Sequence, residues 1–135
     1  MSQVFNNFLD KWHKVVADSD NDILDELLHD DVIFYSPVVH TPQRGKFITK
    51  MYLIGAGESL KNEFKYQKKI IDGLHGVLEF SCMIDTISVE GVDIIELNEE
   101  GQIISFKVMV RPLKAVHKIH ERMGEMLDKL KGKEP

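Results

Sequence analysis

Acid–base chemistry in this chain would depend first on Asp93, a carboxylate set in an apolar strand pattern. The run 92–97 alternates so that Asp93 shares one face with Ile95 and Leu97. If that face points inward, the carboxylate must be hydrogen-bonded or its pKa must rise, because burying a bare charge is costly. Asp93 is therefore the primary candidate for orienting a ligand or transferring a proton. The alternative is a carboxylate satisfied by backbone groups, by Trp12 or by partial solvation.

Four other residues have side chains that could do chemistry. His40 follows a predicted strand, and a pKa near neutrality would suit a general base, although a surface histidine is the simpler interpretation. His117 and His120 have one-turn spacing, but no third ligand is identifiable, so we expect no metal and no other cofactor. Cys82 falls in a buried strand pattern, where cysteine is usually a small hydrophobe.

Composition limits the classes of function. The chain has 135 residues, 43% hydrophobic and 29% charged, which fits one globular domain over 1–135. The net charge of -5 argues against nucleic-acid binding, and no apolar run is long enough to cross a membrane. The start of the chain does not look like a secretory signal, and a single cysteine fits a reducing compartment. We expect a cytoplasmic protein.

Helical spacing marks the first part of the chain. Residues 4–17 carry an apolar stripe, and a second helix follows a polar link at 18–20 and ends at 29–31. Residues 32–36 read as a strand that Pro37 terminates. After a loop at 42–45, a third helix is predicted to break at the Gly-Ala-Gly sequence of 55–57.

Strand patterns dominate the remainder until a final helix. Strands are predicted at 64–71 and 77–87, with a turn at Glu90 and Gly91. A hairpin then joins 92–97 to 102–110 through a link whose Gly101 supplies a positive φ. A helix over 113–131 closes the chain. Segregated helices and antiparallel strands are typical of an α+β fold.

Three local patterns accompany this order of elements. They are Leu28-His29-Asp30-Asp31-Val32 before Ser36-Pro37, Arg44-Gly45, and Val92-Asp93 before Asn98-Glu99-Glu100-Gly101-Gln102-Ile103. Together with the order of elements, they resemble the nuclear transport factor 2-like superfamily, specifically its SnoaL-like and ketosteroid-isomerase-like branch. The resemblance spans about 5–112 and leaves the C-terminal helix outside the common core. It implies a cone: a curved, mainly antiparallel β-sheet wrapped by three N-terminal helices, with a pocket at the wide end and homodimers paired through the outer sheet face.

The resemblance also implies roles at four positions. The isomerases have a general-base aspartate directly before the proline that ends the first strand, where this chain has Ser36. They use a tyrosine of the first helix as a hydrogen-bond donor, where this chain has Trp12. Asp93 matches the protonated acid that completes the isomerase oxyanion hole. The water-activating aspartate of the related epoxide hydrolases falls on Val108.

Three hypotheses follow. The first is a protein that binds a small lipophilic molecule in an apolar pocket. The second is an isomerase- or lyase-like enzyme in which Asp93, alone or together with His40, transfers a proton on a carbonyl compound. The third is a non-catalytic homodimeric adaptor whose pocket is filled, associating through an outer face formed by Ile33, Tyr35, Lys107, Met109 and Arg111. The predicted pocket lining is Trp12, Phe34, Ser36, Asp93, Phe106, Val108 and Val110.

Overall fold

The fold, in a computed structural model that describes residues 3–131, contains four helices and six strands. The helices are α1 Gln3–Asp18, α2 Asn21–Leu27, α3 Lys46–Leu60 and α4 Leu113–Lys131. The strands are β1 Leu28–Tyr35, β2 Gln43–Arg44, β3 Lys65–Asp72, β4 His75–Ile84, β5 Ile87–Leu97 and β6 Ile103–Arg111.

All six strands form one sheet in the order β2-β1-β6-β5-β4-β3. Neighbouring strands run antiparallel except for β1 and β6, which are parallel. The curved sheet carries the helices on its concave side, so the predicted α+β cone is confirmed. No helix in residues 3–131 is both long and apolar enough to cross a membrane.

The β5–β6 hairpin has the predicted connection through Gly101, and it also has an irregular strand register that the sequence pattern did not indicate. Gly101 has a φ of +83°, and the Asn98 side chain accepts hydrogen bonds from the backbone N–H groups of Glu100 and Gln102. An irregularity in register between Glu96 and Leu97 then brings both Ile103 and Phe106 into the core. Strict alternation had placed those two side chains on opposite faces.

The third helix does not break at its glycines. α3 continues from Lys46 to Leu60 through both Gly55 and Gly57. A Cβ on Gly55 would lie 3.3 Å from the sulfur of Met123 in α4. Gly55 therefore permits close helix–helix packing, and the predicted break was wrong because tertiary contacts outweigh the low helix propensity of glycine.

The predicted turn at Glu90 and Gly91 was also wrong. The chain turns at Asp85 and Thr86, and β5 runs straight through Gly91, which pairs with Phe80 of β4. A Cβ on Gly91 would lie 2.5 Å from the Phe80 ring, so this glycine serves close packing inside a strand.

The first strand also differs from its predicted bounds. β1 begins at Leu28, four residues earlier than expected, because Leu28 is fully buried and pairs with Ile103 of β6. The stretch 29–31, predicted to end the second helix, belongs to this strand. The short strand β2, where a loop was expected, pairs with Ile33 and Phe34 of β1.

Candidate functional site

An internal cavity of about 570 Å³ lies between the concave sheet face and helices α1 and α3. Its inner wall is mostly apolar and aromatic, with Asp93 as the buried carboxylate. Its outer lining comes from the C-terminal end of α1, the C-terminal end of α3 and the start of β3. The inner wall comprises Trp12, Leu24, Leu53, Phe64, Tyr66, Phe80, Asp93, Phe106 and Val108.

Three side chains from three different elements form a directed hydrogen-bond chain in this wall. Trp12 Nε1 donates to Tyr66 Oη at 2.9 Å, and Tyr66 Oη donates to Asp93 Oδ2 at 2.8 Å. The indole can only donate, so the single proton of Tyr66 is directed at Asp93. The other carboxyl oxygen, Asp93 Oδ1, has no hydrogen-bond partner within residues 3–131.

The burial of Asp93 changes its acidity. The residue is 6% exposed, and the loss of solvation raises its pKa from 3.8 to about 7, against the opposing effect of the Tyr66 hydrogen bond. Burial, and next the nearby Asp93 charge, hold the pKa of Tyr66 well above its usual value. Near neutral pH the pair therefore consists of a neutral phenol and a carboxyl group that exchanges its proton readily.

The half-buried His13 joins this wall from α1. Lys69 Nζ lies 2.8 Å from His13 Nε2, a distance at which the ammonium donates to a neutral imidazole. Partial burial, followed by the Lys69 charge, lowers the pKa of His13, with Asp10 opposing the change. His13 is thus uncharged near neutral pH, and it accepts a hydrogen bond from Lys69.

Four of the seven predicted lining residues do line the cavity: Trp12, Asp93, Phe106 and Val108. The other three lie elsewhere. Phe34 is buried in the core, where its ring centroid is 5.3 Å from that of Tyr52. Ser36 accepts a hydrogen bond from the backbone of Val38 beyond the end of β1. Val110 pairs with Gly91 farther along β6.

His40 is an exposed residue in the segment between β1 and β2 and does not line the cavity. His117 and His120 are exposed on α4, and the described part of the chain holds no group of three or more potential metal ligands.

Cys82 is buried in β4, and that burial raises its pKa to about 11. A thiol with that pKa is a poor nucleophile near neutral pH.

The sequence interpretation missed Tyr66, the residue that links Trp12 to Asp93. A signal was present, because Phe64 and Tyr66 are two residues apart and so lie on one face of an extended chain. The lysines that surround Tyr66 in the sequence mask this signal by making the stretch look wholly exposed. The hydroxyl's partners could not be read from the sequence, since they are 54 and 27 residues away.

The outer sheet face carries the residues predicted to form a dimer interface. Met109 is 51% exposed, and Lys107 Nζ lies 4.8 Å from the ring centroid of Tyr35. Arg111 forms an ion pair with Glu90 at 3.0 Å. Association through this face stays a prediction.

Comparison with solved structures finds strong similarity over the whole fold. A steroid delta-isomerase from Pseudomonas aeruginosa is 31% identical, with a TM-score of 0.91 over 98% of this chain and 97% of the other. A protein of cystatin-like fold from Silicibacter pomeroyi DSS-3 is also 31% identical, with a TM-score of 0.83 over 91% and 86% of the two chains.

A more distant structure shares the fold alone. This is a protein assigned as a SnoaL-like polyketide cyclase from Jannaschia sp. CCS1, with 12% identity and a TM-score of 0.69 over 88% of this chain and 95% of the other. No protein-family model and no curated protein sequence matches the chain. The cone architecture, the placement of Asp93 and the 31% identity over nearly the full length lead to one conclusion: the chain belongs to the nuclear transport factor 2-like superfamily, in its SnoaL-like and ketosteroid-isomerase-like branch.

Proposed function

We propose that this protein binds a small, largely apolar molecule that places one oxygen atom against Asp93. The observation that carries the proposal is the free Oδ1 of Asp93 in the wall of a cavity of about 570 Å³. That volume lies within the range of about 300–1,000 Å³ typical of small-molecule sites. The open cavity argues against the third hypothesis, an adaptor with a filled pocket.

The direction of the hydrogen-bond chain specifies what Asp93 offers a ligand. Tyr66 donates to Oδ2, so the proton of the neutral acid belongs on Oδ1 and points to the cavity. The protonated form would donate to a ligand carbonyl, and the ionised form would accept from a ligand hydroxyl. Because the pKa of Asp93 is about 7, binding of a ketone should weaken as the pH rises through neutrality.

The first experiment tests whether a small apolar molecule binds in the cavity. Trp12 is the only tryptophan and forms part of the wall, so its fluorescence reports occupancy directly. We expect the neutral dye N-phenyl-1-naphthylamine to quench Trp12, and Val108→Phe to weaken its binding by roughly tenfold or more, because the larger ring takes up cavity space. Met109→Phe is the matched control, since Met109 is the next residue of β6 and faces outward. Equal effects of the two variants, or no quenching, would refute the proposal.

The second experiment tests the role of Asp93 by displacing the dye with progesterone, a steroid ketone. One lost hydrogen bond should weaken ketone binding by roughly fivefold to tenfold between about pH 6 and about pH 8. Asp93→Asn should remove this pH dependence, since the amide does not titrate. A dependence that persists in the variant would exclude Asp93 as its origin.

A second candidate function is double-bond isomerisation by proton transfer, which is favoured by a carboxyl group whose pKa matches neutral pH. The 31% identical structure named as a steroid delta-isomerase supports the same class. Ser36 replaces the usual base, so Asp93 itself would have to exchange the proton. A β,γ-unsaturated steroid ketone should then acquire the absorbance of its conjugated isomer, and Asp93→Asn should abolish that change. Conversion at the uncatalysed rate in the wild-type protein would reject this candidate.

A further inference from the structure

The mouth of the cavity is positively charged on its β3 side, although the chain as a whole has a net charge of -5. The charged residues lining this side are Glu58, Lys61 and Lys65. Glu58 and Lys61 neutralise each other in an ion pair at 2.9 Å. Lys65 forms no ion pair with any residue in the described range 3–131, so its charge is available at the mouth.

Neighbouring groups reinforce this charge. Lys69 of the same strand donates to the neutral His13 and forms no ion pair with any acid in residues 3–131. The acids on the opposite rim, Asp18 and Asp20, are not among the lining residues, and Asp20 accepts a hydrogen bond from the backbone of Ile23 at the start of α2. The Asp20 carboxylate is thus engaged at the start of α2 and not in the cavity lining.

The two ends of the cavity would therefore select different groups. An anion placed beside Asp93 would be repelled whenever that carboxyl group is ionised, and it would have to lose its hydration in an apolar wall. At Lys65 the same anion would stay partly hydrated and meet an unpaired cation. A ligand with an anionic group thus has one favourable orientation.

We propose that the ligand is an amphipathic anion, with its apolar body in the cavity and a carboxylate, sulfonate or phosphate group against Lys65 at the mouth. This inference rests on the proposed function, because it takes the cavity to be the binding site. It adds a substrate class: acids with a compact apolar body, bound with the charged end outward.

The test compares two dyes that share an anilinonaphthalene body. N-phenyl-1-naphthylamine is neutral, and 8-anilinonaphthalene-1-sulfonate carries one negative charge. Lys65→Gln should weaken sulfonate binding by roughly fivefold and leave binding of the neutral dye unchanged, the size expected of one partly exposed charge pair. Lys68→Gln is the matched control, because Lys68 is an exposed lysine of the same strand that does not line the cavity. Added salt should reduce the effect of Lys65→Gln.

The outcomes separate this inference from the proposed function. If the neutral dye binds in the cavity but Lys65→Gln affects both dyes equally or neither, the anionic ligand is refuted and the cavity site stands. The same holds if Lys68→Gln has the effect of Lys65→Gln, because the attraction would then be a general property of the basic strand. If neither dye binds, both proposals fail.

Discussion

Aromatic side chains line the whole concave side of the sheet, but they fill one region and leave the other open. In the filled region, formed by Phe34 and Tyr52, the rings pack directly; Phe34 is 1% exposed, and its ring centroid lies 5.3 Å from that of Tyr52 and 6.1 Å from that of Phe106. In the open region, formed by Trp12, Phe64, Tyr66 and Asp93, the side chains surround the cavity.

The filled and open regions differ in the polar atoms that their side chains carry. In the filled region Phe34 has none and Tyr52 has only its hydroxyl, so these rings can pack directly against apolar neighbours. In the open region Trp12, Tyr66 and Asp93 carry polar groups that need partners, and two hydrogen bonds, at 2.9 and 2.8 Å, link them to one another and leave Asp93 Oδ1 free for a ligand. These bonds hold the three side chains against the wall, which keeps the space in front of them free. The cavity therefore lies beside β3 and α1, away from Ser36, where the resemblance had suggested the catalytic base.

The largest expected effect tests the packing of the two regions. Phe34→Ala should lower the free energy of unfolding by about 3–5 kcal/mol, because it empties a close-packed site. Phe64→Ala should cost less than about 2 kcal/mol, because Phe64 is half-buried and borders existing space. Urea unfolding of both variants measures the difference. Equal losses would mean that the two regions are packed alike.

The second prediction concerns the pH dependence of the free energy of unfolding, which Asp93 in the open region is expected to cause. The pKa of Asp93 is higher in the folded protein, about 7, than its ordinary value of 3.8. Folding thus favours the protonated form of Asp93. The stability that this protonated form contributes is complete below about pH 4 and is lost as the pH rises through about 7. Asp93→Asn should be more stable than the wild type by about 2–4 kcal/mol near pH 8 and equally stable near pH 4. Urea unfolding across this range measures the difference, and a constant offset would show that Asp93 is not buried as a titrating acid.

The smallest effects are expected for alanine substitutions at Gly76 and Gly57, which test whether there is room for a Cβ at each position. A Cβ on Gly76 would lie 2.2 Å from the Phe5 ring, so Gly76→Ala should destabilise the protein by about 1–3 kcal/mol. A Cβ on Gly57, at the rim of the open region, would meet nothing within 4 Å, so Gly57→Ala should stabilise α3 by about 0.5–1 kcal/mol. Melting temperatures that shift in opposite directions would support the comparison. A loss in both variants would contradict it.

Much of the architecture could be predicted from the sequence. The hairpin with Gly101, the four helices and the inward face of Asp93 all follow from local spacing. Two of the errors fell at glycines, and others fell at the start of β1 and at the short strand β2. Gly55 and Gly91 look like breaks in the sequence, yet each lies inside an element, where the missing Cβ makes room for a side chain from another element: Met123 lies 3.3 Å and the Phe80 ring 2.5 Å from the position of that Cβ.

The sequence by itself determined that Asp93 shares a face with Ile95 and Leu97, because a period of two holds along a strand whatever lies opposite. Only the tertiary structure decided which groups satisfy that acid and where the space remains. Tyr66 and Trp12 reach Asp93 from separate elements, and Phe34 fills a place that the sequence had assigned to the cavity. The partners of Asp93 and the position of the cavity depend on side-chain volumes and hydrogen-bonding groups from distant parts of the chain. Local periodicity contains no information about them.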